Sequence, residues 1–190
     1  MDLLPLNDPR WKELNHRNWS CGKRSEWTPD APFVPEELSE LVKNPENNER
    51  FRDLWSWLCS EGTTYAAAYA AVPYMVAFAE RLPPKQRFEY LCVVGLVETH
   101  SCPEKGEAFE IKGYLEEGYR RALGRALALI GETLSARHDI TETRYLLGAA
   151  AALKGHRKLA RALQDMDCVS GECPKCGETV FPEELQEAIG

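Results

Sequence analysis

Residues 50–82 read RFRDLWSWLCSEGTTYAAAYAAVPYMVAFAERL, and this stretch decides the fold. Phe51, Leu54, Trp55, Leu58 and Cys59 fall at i, i+3, i+4, i+7 and i+8, one apolar stripe of a 3.6-residue helix. Gly62 suits the left-handed turn that ends such a helix, and Thr63 or Thr64 suits the cap of the next. The second helix carries Tyr65, Tyr69, Val72 and Val76 on one face, among alanines that let a neighbour approach closely. Pro73 removes a backbone donor, which predicts a kink or a restart with proline in the first turn. The stretch is therefore a helical hairpin.

Outward from it, the pattern repeats. Toward the N-terminus, Asp8-Pro9 has the form of a capped helix start, with Trp11 and Leu14 as anchors. Residues 15–32 are polar and turn-rich and form a surface connection. A helix over 35–43 turns Leu38, Leu41 and Val42 inward and stops at Asn44-Pro45, because a residue before proline avoids helical geometry. Pro83-Pro84 breaks the chain before a helix over 85–98, which holds Phe88, Leu91, Cys92, Gly95 and Leu96 on one stripe. A long helix over 111–134 holds Leu115, Tyr119, Ala122, Leu123, Ala126, Leu127 and Ile130. Gly113, Gly118, Gly124 and Gly131 cost this helix about 1 kcal/mol each relative to alanine, a cost that close helix packing would justify. The last pair covers 142–153 and 156–166, split at Gly155. Leu146, Ala149, Ala150 and Leu153 pack one side; Leu159, Ala162, Leu163 and Met166 supply the other.

No segment before the tail alternates with period two, so the fold class is all-α. Three hairpins, 50–82, 85–134 and 142–166, recur at roughly 40-residue spacing, the period of a short HEAT-like α-solenoid; a closed helical bundle is the alternative. The expected organisation is a helical-repeat domain over 1–166, with an irregular N-terminal arm, and a cysteine-knuckle tail over 167–190.

Composition bounds the function. Thirty acidic against 23 basic residues give a formal charge of −7 and a pI near 5.2. That balance disfavours nucleic acid as a partner and suits a basic protein. The start MDLLPLNDPRWKEL lacks the basic and apolar regions of a signal peptide, and the apolar run near 65–79 is too short to span a bilayer. The expected location is the cytoplasm, with no membrane partner. Seven cysteines without an export signal read as thiols or metal ligands.

Cys168, Cys173 and Cys176 carry the sharpest local signal. A Cys-Pro-x-Cys-Gly turn aims two thiolates at one ion, and structural zinc takes four ligands. Cys168 is a candidate third. The fourth is open among His156, His100, Cys102, Cys21 and a second chain. Glu98, His100 and Cys102 cluster past a helix end, where a polar helix terminus accounts for them better than catalysis does. His16, His138 and His156 read as surface residues. No phosphate-binding glycine loop, nucleophile elbow or His-Glu-x-x-His motif occurs, so no enzyme is expected. Five tryptophans precede residue 60. Most serve to pack the N-terminal arm, but Trp57 falls off the buried stripe and is a candidate partner contact. The acidic residues Glu36, Glu37 and Glu40, of a run continued by Glu46 and Glu49, are further candidates.

Asp8-Pro9-Arg10-Trp11, the helix from Leu54-Trp55 to Leu58-Cys59, Glu61-Gly62-Thr63-Thr64-Tyr65, Ala70-Ala71-Val72-Pro73, and Leu153-Lys154-Gly155-His156 with the following knuckle resemble a family of bacterial HEAT-like repeat proteins. The resemblance spans most of the chain and rests on packing and turn residues. It implies a non-enzymatic protein-binding module, and in related helical-repeat proteins an immunity role, neutralising a toxin by covering it. A zinc-dependent regulator or enzyme built on the tail, and a scaffold in a larger complex, are the alternatives. No catalytic residue carries over.

Overall fold

The computed structural model describes residues 3–14, 19–20, 23–24, 33–60, 63–101, 111–136, 138–165, 171–172 and 179–180. Among them are seven α-helices: α1 (Val34–Lys43), α2 (Asn48–Leu58), α3 (Ala66–Arg81), α4 (Phe88–His100), α5 (Gly113–Leu134), α6 (Ile140–Leu153) and α7 (Arg157–Gln164). Three two-residue antiparallel pairs punctuate them: β1 (Trp19–Ser20) with β2 (Lys23–Arg24), β3 (Cys59–Ser60) with β4 (Thr63–Thr64), and β5 (Gly171–Glu172) with β6 (Thr179–Val180). The fold is all-α. No helix among the described residues is long and apolar enough to cross a membrane.

Helix α3 is the axis. Every residue from Ala66 to Val76 is buried, as are Phe78 and Ala79, so this helix has no solvent face over most of its length. It touches α1, α2, α4 and α5. The alanines explain how four neighbours fit: their short side chains let other backbones approach, and the larger residues then fill the gaps. Pro73 neither restarts nor ends the helix, which runs through it from Ala66 to Arg81. Tertiary enclosure outweighs the lost hydrogen bond here.

An aromatic set fills the space around α3. Phe51 lies 4.1 Å from Tyr90 between ring centroids, Phe78 lies 5.6 Å from Tyr90, and Tyr69 meets Tyr119 edge-on at 5.2 Å. Two of the buried hydroxyls reach backbone acceptors: Tyr90 donates to the Pro45 carbonyl at 2.7 Å and Tyr74 to the Leu4 carbonyl at 2.6 Å. The N-terminal arm is held in the same way. Asp8 caps the 3-10 turn Pro9–Glu13 by accepting from the Arg10 backbone N–H, and the buried Trp11 indole donates to the Pro5 carbonyl at 2.9 Å. The arm therefore packs on α3, as the tryptophan reading expected of Trp11.

Alternate helices also pack on each other: α3 on α5, and α4 on α6, with α7 against α6 and touching α4. Two adjacent residues of α6 divide that work. Ala149 faces Gly95 of α4, where a Cβ on Gly95 would lie 2.5 Å from the Ala149 Cα. Gly148 faces α7, where an added Cβ would lie 3.3 Å from Gln164 Cγ and 3.4 Å from the Ala160 carbonyl oxygen. The turn from α6 to α7 closes with Gly155 at φ +82°; the His156 N–H donates to the Ala151 carbonyl and the Gly155 N–H to Ala152, a Schellman cap.

Several side-chain expectations are corrected. Val42 is 40% exposed and Leu159 is 54% exposed, while Ala162 also faces solvent. Helix α7 buries Ala160 and Gln164 instead, a phase rotated by one residue. Gly124 and Gly131 meet nothing within 4 Å, so close packing does not account for them. Neither threonine caps α3: Tyr65 is its N-cap, and its side chain makes no capping hydrogen bond.

Gly95→Ala is expected to destabilise the protein by about 1–3 kcal/mol, because the clash is with backbone that must shift. Gly124→Ala, in open space on the same scaffold, is expected to stabilise by up to about 1 kcal/mol. Urea unfolding of the two variants checks both signs.

Candidate functional site

The first site forms where α1 crosses the solvent face of α2. An open groove of about 580 Å³ is lined by Glu37 of α1, by Asn47, and by Glu49, Arg50, Asp53, Leu54, Ser56 and Trp57 of α2. Helical spacing builds it: Glu49, Asp53 and Trp57 are four residues apart and share a face, opposite the buried Phe51, Leu54 and Leu58. The Asn47 side chain caps α2 by accepting from the Arg50 N–H at 3.1 Å, which fixes where that face begins. Arg50 then reaches back to Glu37 at 2.9 Å and locks the two helices together. Three carboxylates against one guanidinium leave the groove with a formal balance of −2.

Of the residues expected to meet a partner, the structure brings Glu37 and Trp57 into one groove. Glu36 and Glu40 are exposed on α1 and do not line it. Glu40 instead accepts from Lys43 at 2.6 Å, and that hydrogen bond lowers its carboxyl pKa. Asp53 is a lining residue that sequence reading missed. Its signal was the i, i+4 step from Glu49 to Asp53 and on to Trp57.

The second site is a polar seam at the C-terminal end of α4. The last carbonyls of a helix lack intrahelical partners, and the C-cap residue together with side chains from other elements supplies them here. The Thr64 hydroxyl donates to the Val97 carbonyl at 3.0 Å. Ser101 and Arg157 both donate to the Glu98 carbonyl. The Glu98 carboxylate accepts from the Tyr119 hydroxyl at 2.9 Å and from Arg157 at 2.6 Å.

Within this seam Cys59 Sγ lies 3.6 Å from His100 Nδ1 and 3.8 Å from Thr64 Oγ1. Burial pushes the Cys59 thiol up to about 11 and pushes His100 below its ordinary value. Both effects favour the uncharged forms, so the pair is a neutral thiol beside a neutral imidazole. A thiolate nucleophile needs the opposite shift. His100 was read with Cys102 from sequence; its described thiol neighbour is Cys59, 41 positions away.

Cys168, Cys173, Cys176, Cys21, Cys102 and His16 lie outside the described residues. Among the described residues no three His, Cys, Asp or Glu side chains gather as a metal site. His138 was expected at the surface, but its side chain is 1% exposed: the ring joins the end of α5 to the start of α6, with Nε2 2.9 Å from the Thr133 carbonyl and Nδ1 2.8 Å from Glu142. His156 is exposed before α7, as expected. No family model matches the chain, and neither the curated proteins nor the solved structures compared with it give a match.

Thr64→Val keeps the shape but removes the donor to the Val97 carbonyl, leaving a buried acceptor unpaired. The expected loss is about 1–3 kcal/mol, read as a lower urea midpoint with an unchanged slope.

Proposed function

We propose that this chain is a non-enzymatic protein-binding module whose α1–α2 groove receives a basic segment of a protein partner. The observation that carries this reading is the groove itself: an indole flanked at helical spacing by carboxylates, on a face that the core does not use. A lysine or arginine entering it would meet Glu49 and Asp53 and stack on Trp57. Cation–π contact and charge pairing together favour a guanidinium or ammonium over a neutral side chain. Arg50 is already committed to Glu37 and so repels the incoming cation less than an unpaired guanidinium would.

The partner surface extends beyond the groove, since a stable complex buries about 800 Å² on each side. Glu36 and Glu40 on the neighbouring turns of α1 widen the acidic field. Contacts between alternate helices, α3 with α5 and α4 with α6, support the short HEAT-like stack as the scaffold for such a surface. Covering a basic toxin, as an immunity protein does, is the form of this activity that the family resemblance implies.

Co-expression with the product of the adjacent reading frame, followed by tagged capture, tests the reading. The expected result is a one-to-one complex with a basic protein, weakened by salt as charge is screened. Trp57→Ala is expected to cost about 2 kcal/mol of binding, roughly thirtyfold in affinity. Glu49→Lys is expected to slow association. A complex indifferent to both substitutions would place the binding surface elsewhere.

A further inference from the structure

We propose that the basic segment the α1–α2 groove receives, when no other protein occupies it, is helix α7 of a second copy, so that molecules stack head to tail; this rests on the groove being a site for cations. Ion pairs within the molecule neutralise much of its surface charge: Glu37 with Arg50, Glu40 with Lys43, Glu132 with Arg87. The charges left over are segregated. Among the described residues Glu36, Glu46, Glu49 and Asp53 join no ion pair, and they lie together on α1, on α2 and in the turn between them. Lys154 and Lys158 join none either, and they flank the turn from α6 to α7. That turn belongs to the stretch LKGHRKLARALQ, residues 153–164, which holds four Lys and Arg and no acid in a chain of net charge −7.

Helix α7 presents the complement of the groove. Ala160 and Gln164 are its buried residues, and both meet α6 at Gly148. At about 100° per residue, Lys158 and Ala162 then project away from α6, with Leu159 beside them, and all three are exposed. An ammonium thus stands among a small and an apolar neighbour. The groove offers carboxylates at Glu49 and Asp53, one turn apart, and the Trp57 indole one turn further on. Seated there, the Lys158 ammonium meets both carboxylates, while its methylene stem and Leu159 cover the indole.

The two surfaces sit on separate parts of one molecule. Helices α1 and α2 pack on α3, whereas α7 packs on α6 and α4, and Arg157 fastens α7 there through the Glu98 carbonyl and carboxylate. The groove of one copy is therefore met by α7 of the next. Because the contact joins two different patches, a pair of copies still offers one open groove and one open helix, and the stack extends beyond a dimer.

Sedimentation of the full chain over a range of concentrations tests the proposal. The expected result is a mean mass that climbs with concentration and passes that of a dimer. Raising salt from about 0.1 M to about 1 M shortens the screening length from about 10 Å to about 3 Å and is expected to return the chain to monomer. Lys158→Glu, a change at an exposed residue, is expected to weaken association at least about tenfold by setting like charges against each other. Trp57→Ala is expected to do the same by removing the anchor. Mixed, these two variants retain one intact groove and one intact helix between them, so a discrete one-to-one pair that grows no further is expected. A wild-type chain that stays monomeric, a mass that stops at the dimer, or association unchanged in Lys158→Glu would overturn the proposal. A monomeric wild type whose capture of a basic partner is still lost in Trp57→Ala would overturn the stacking alone; stacking indifferent to both Trp57→Ala and Glu49→Lys would overturn the groove as well.

Discussion

From Ala66 to Val76, α3 turns no side chain to water, and the rest of the molecule is the set of elements needed to enclose it. A helix that is apolar all round forms only when neighbours cover every face. The hairpin partner α2 covers one; α1, α4, α5 and the N-terminal arm cover the others. Removing water from this much apolar surface stabilises the fold, and small side chains at the contacts convert that burial into dense packing. Pro73 is tolerated for the same reason: the helix is held from outside, so one missing internal hydrogen bond does not end it.

Both sites follow from that enclosure. Because α2 commits Phe51, Leu54 and Leu58 to the core, its opposite face is left to Glu49, Asp53 and Trp57, and α1 supplies the second wall. Because α4 is sandwiched between α3 and α6, its C-terminal carbonyls are drawn toward the interior and must be met by Thr64, Ser101 and Arg157. The seam containing Cys59 and His100 is thus a consequence of closing a helix end inside the protein. One scaffold therefore presents an acidic aromatic surface and a separate sulfur–nitrogen pair.

The helices were legible because their signals are local. Period-3.6 stripes, Asp8-Pro9, Asn44-Pro45, Pro83-Pro84 and Gly155 each act within a turn or two, and the boundaries of α1 to α7 fall within a few residues of those expected. Phase was harder for helices with many alanines. In α7 the sequence stripe runs through Leu159 and Leu163; Leu163 does reach the crossing with Gly148, but Leu159 is exposed and the backbone of the small Ala160, with Gln164, fills that crossing beside it. Size at a close crossing outweighed hydrophobicity. Pairings distant in sequence left no trace: nothing local links Cys59 to His100 or Glu37 to Arg50, and the burial of His138 depends on how two helices meet. Glu37 and Trp57 were found as types of residue suited to an interface; that they share one groove is a product of the α1–α2 crossing.

Native-state hydrogen exchange of the backbone amides tests the organising role of α3 most directly. Amides that open only on global unfolding exchange slowest, and they mark the core of a fold. The slowest set is expected in α3 and the facing turns of α4, with α7 and the short ladders exchanging far faster. If α3 exchanged as readily as α7 while α5 or α6 stayed protected, the centre of the molecule would lie elsewhere, and the derivation of both sites from its enclosure would fail.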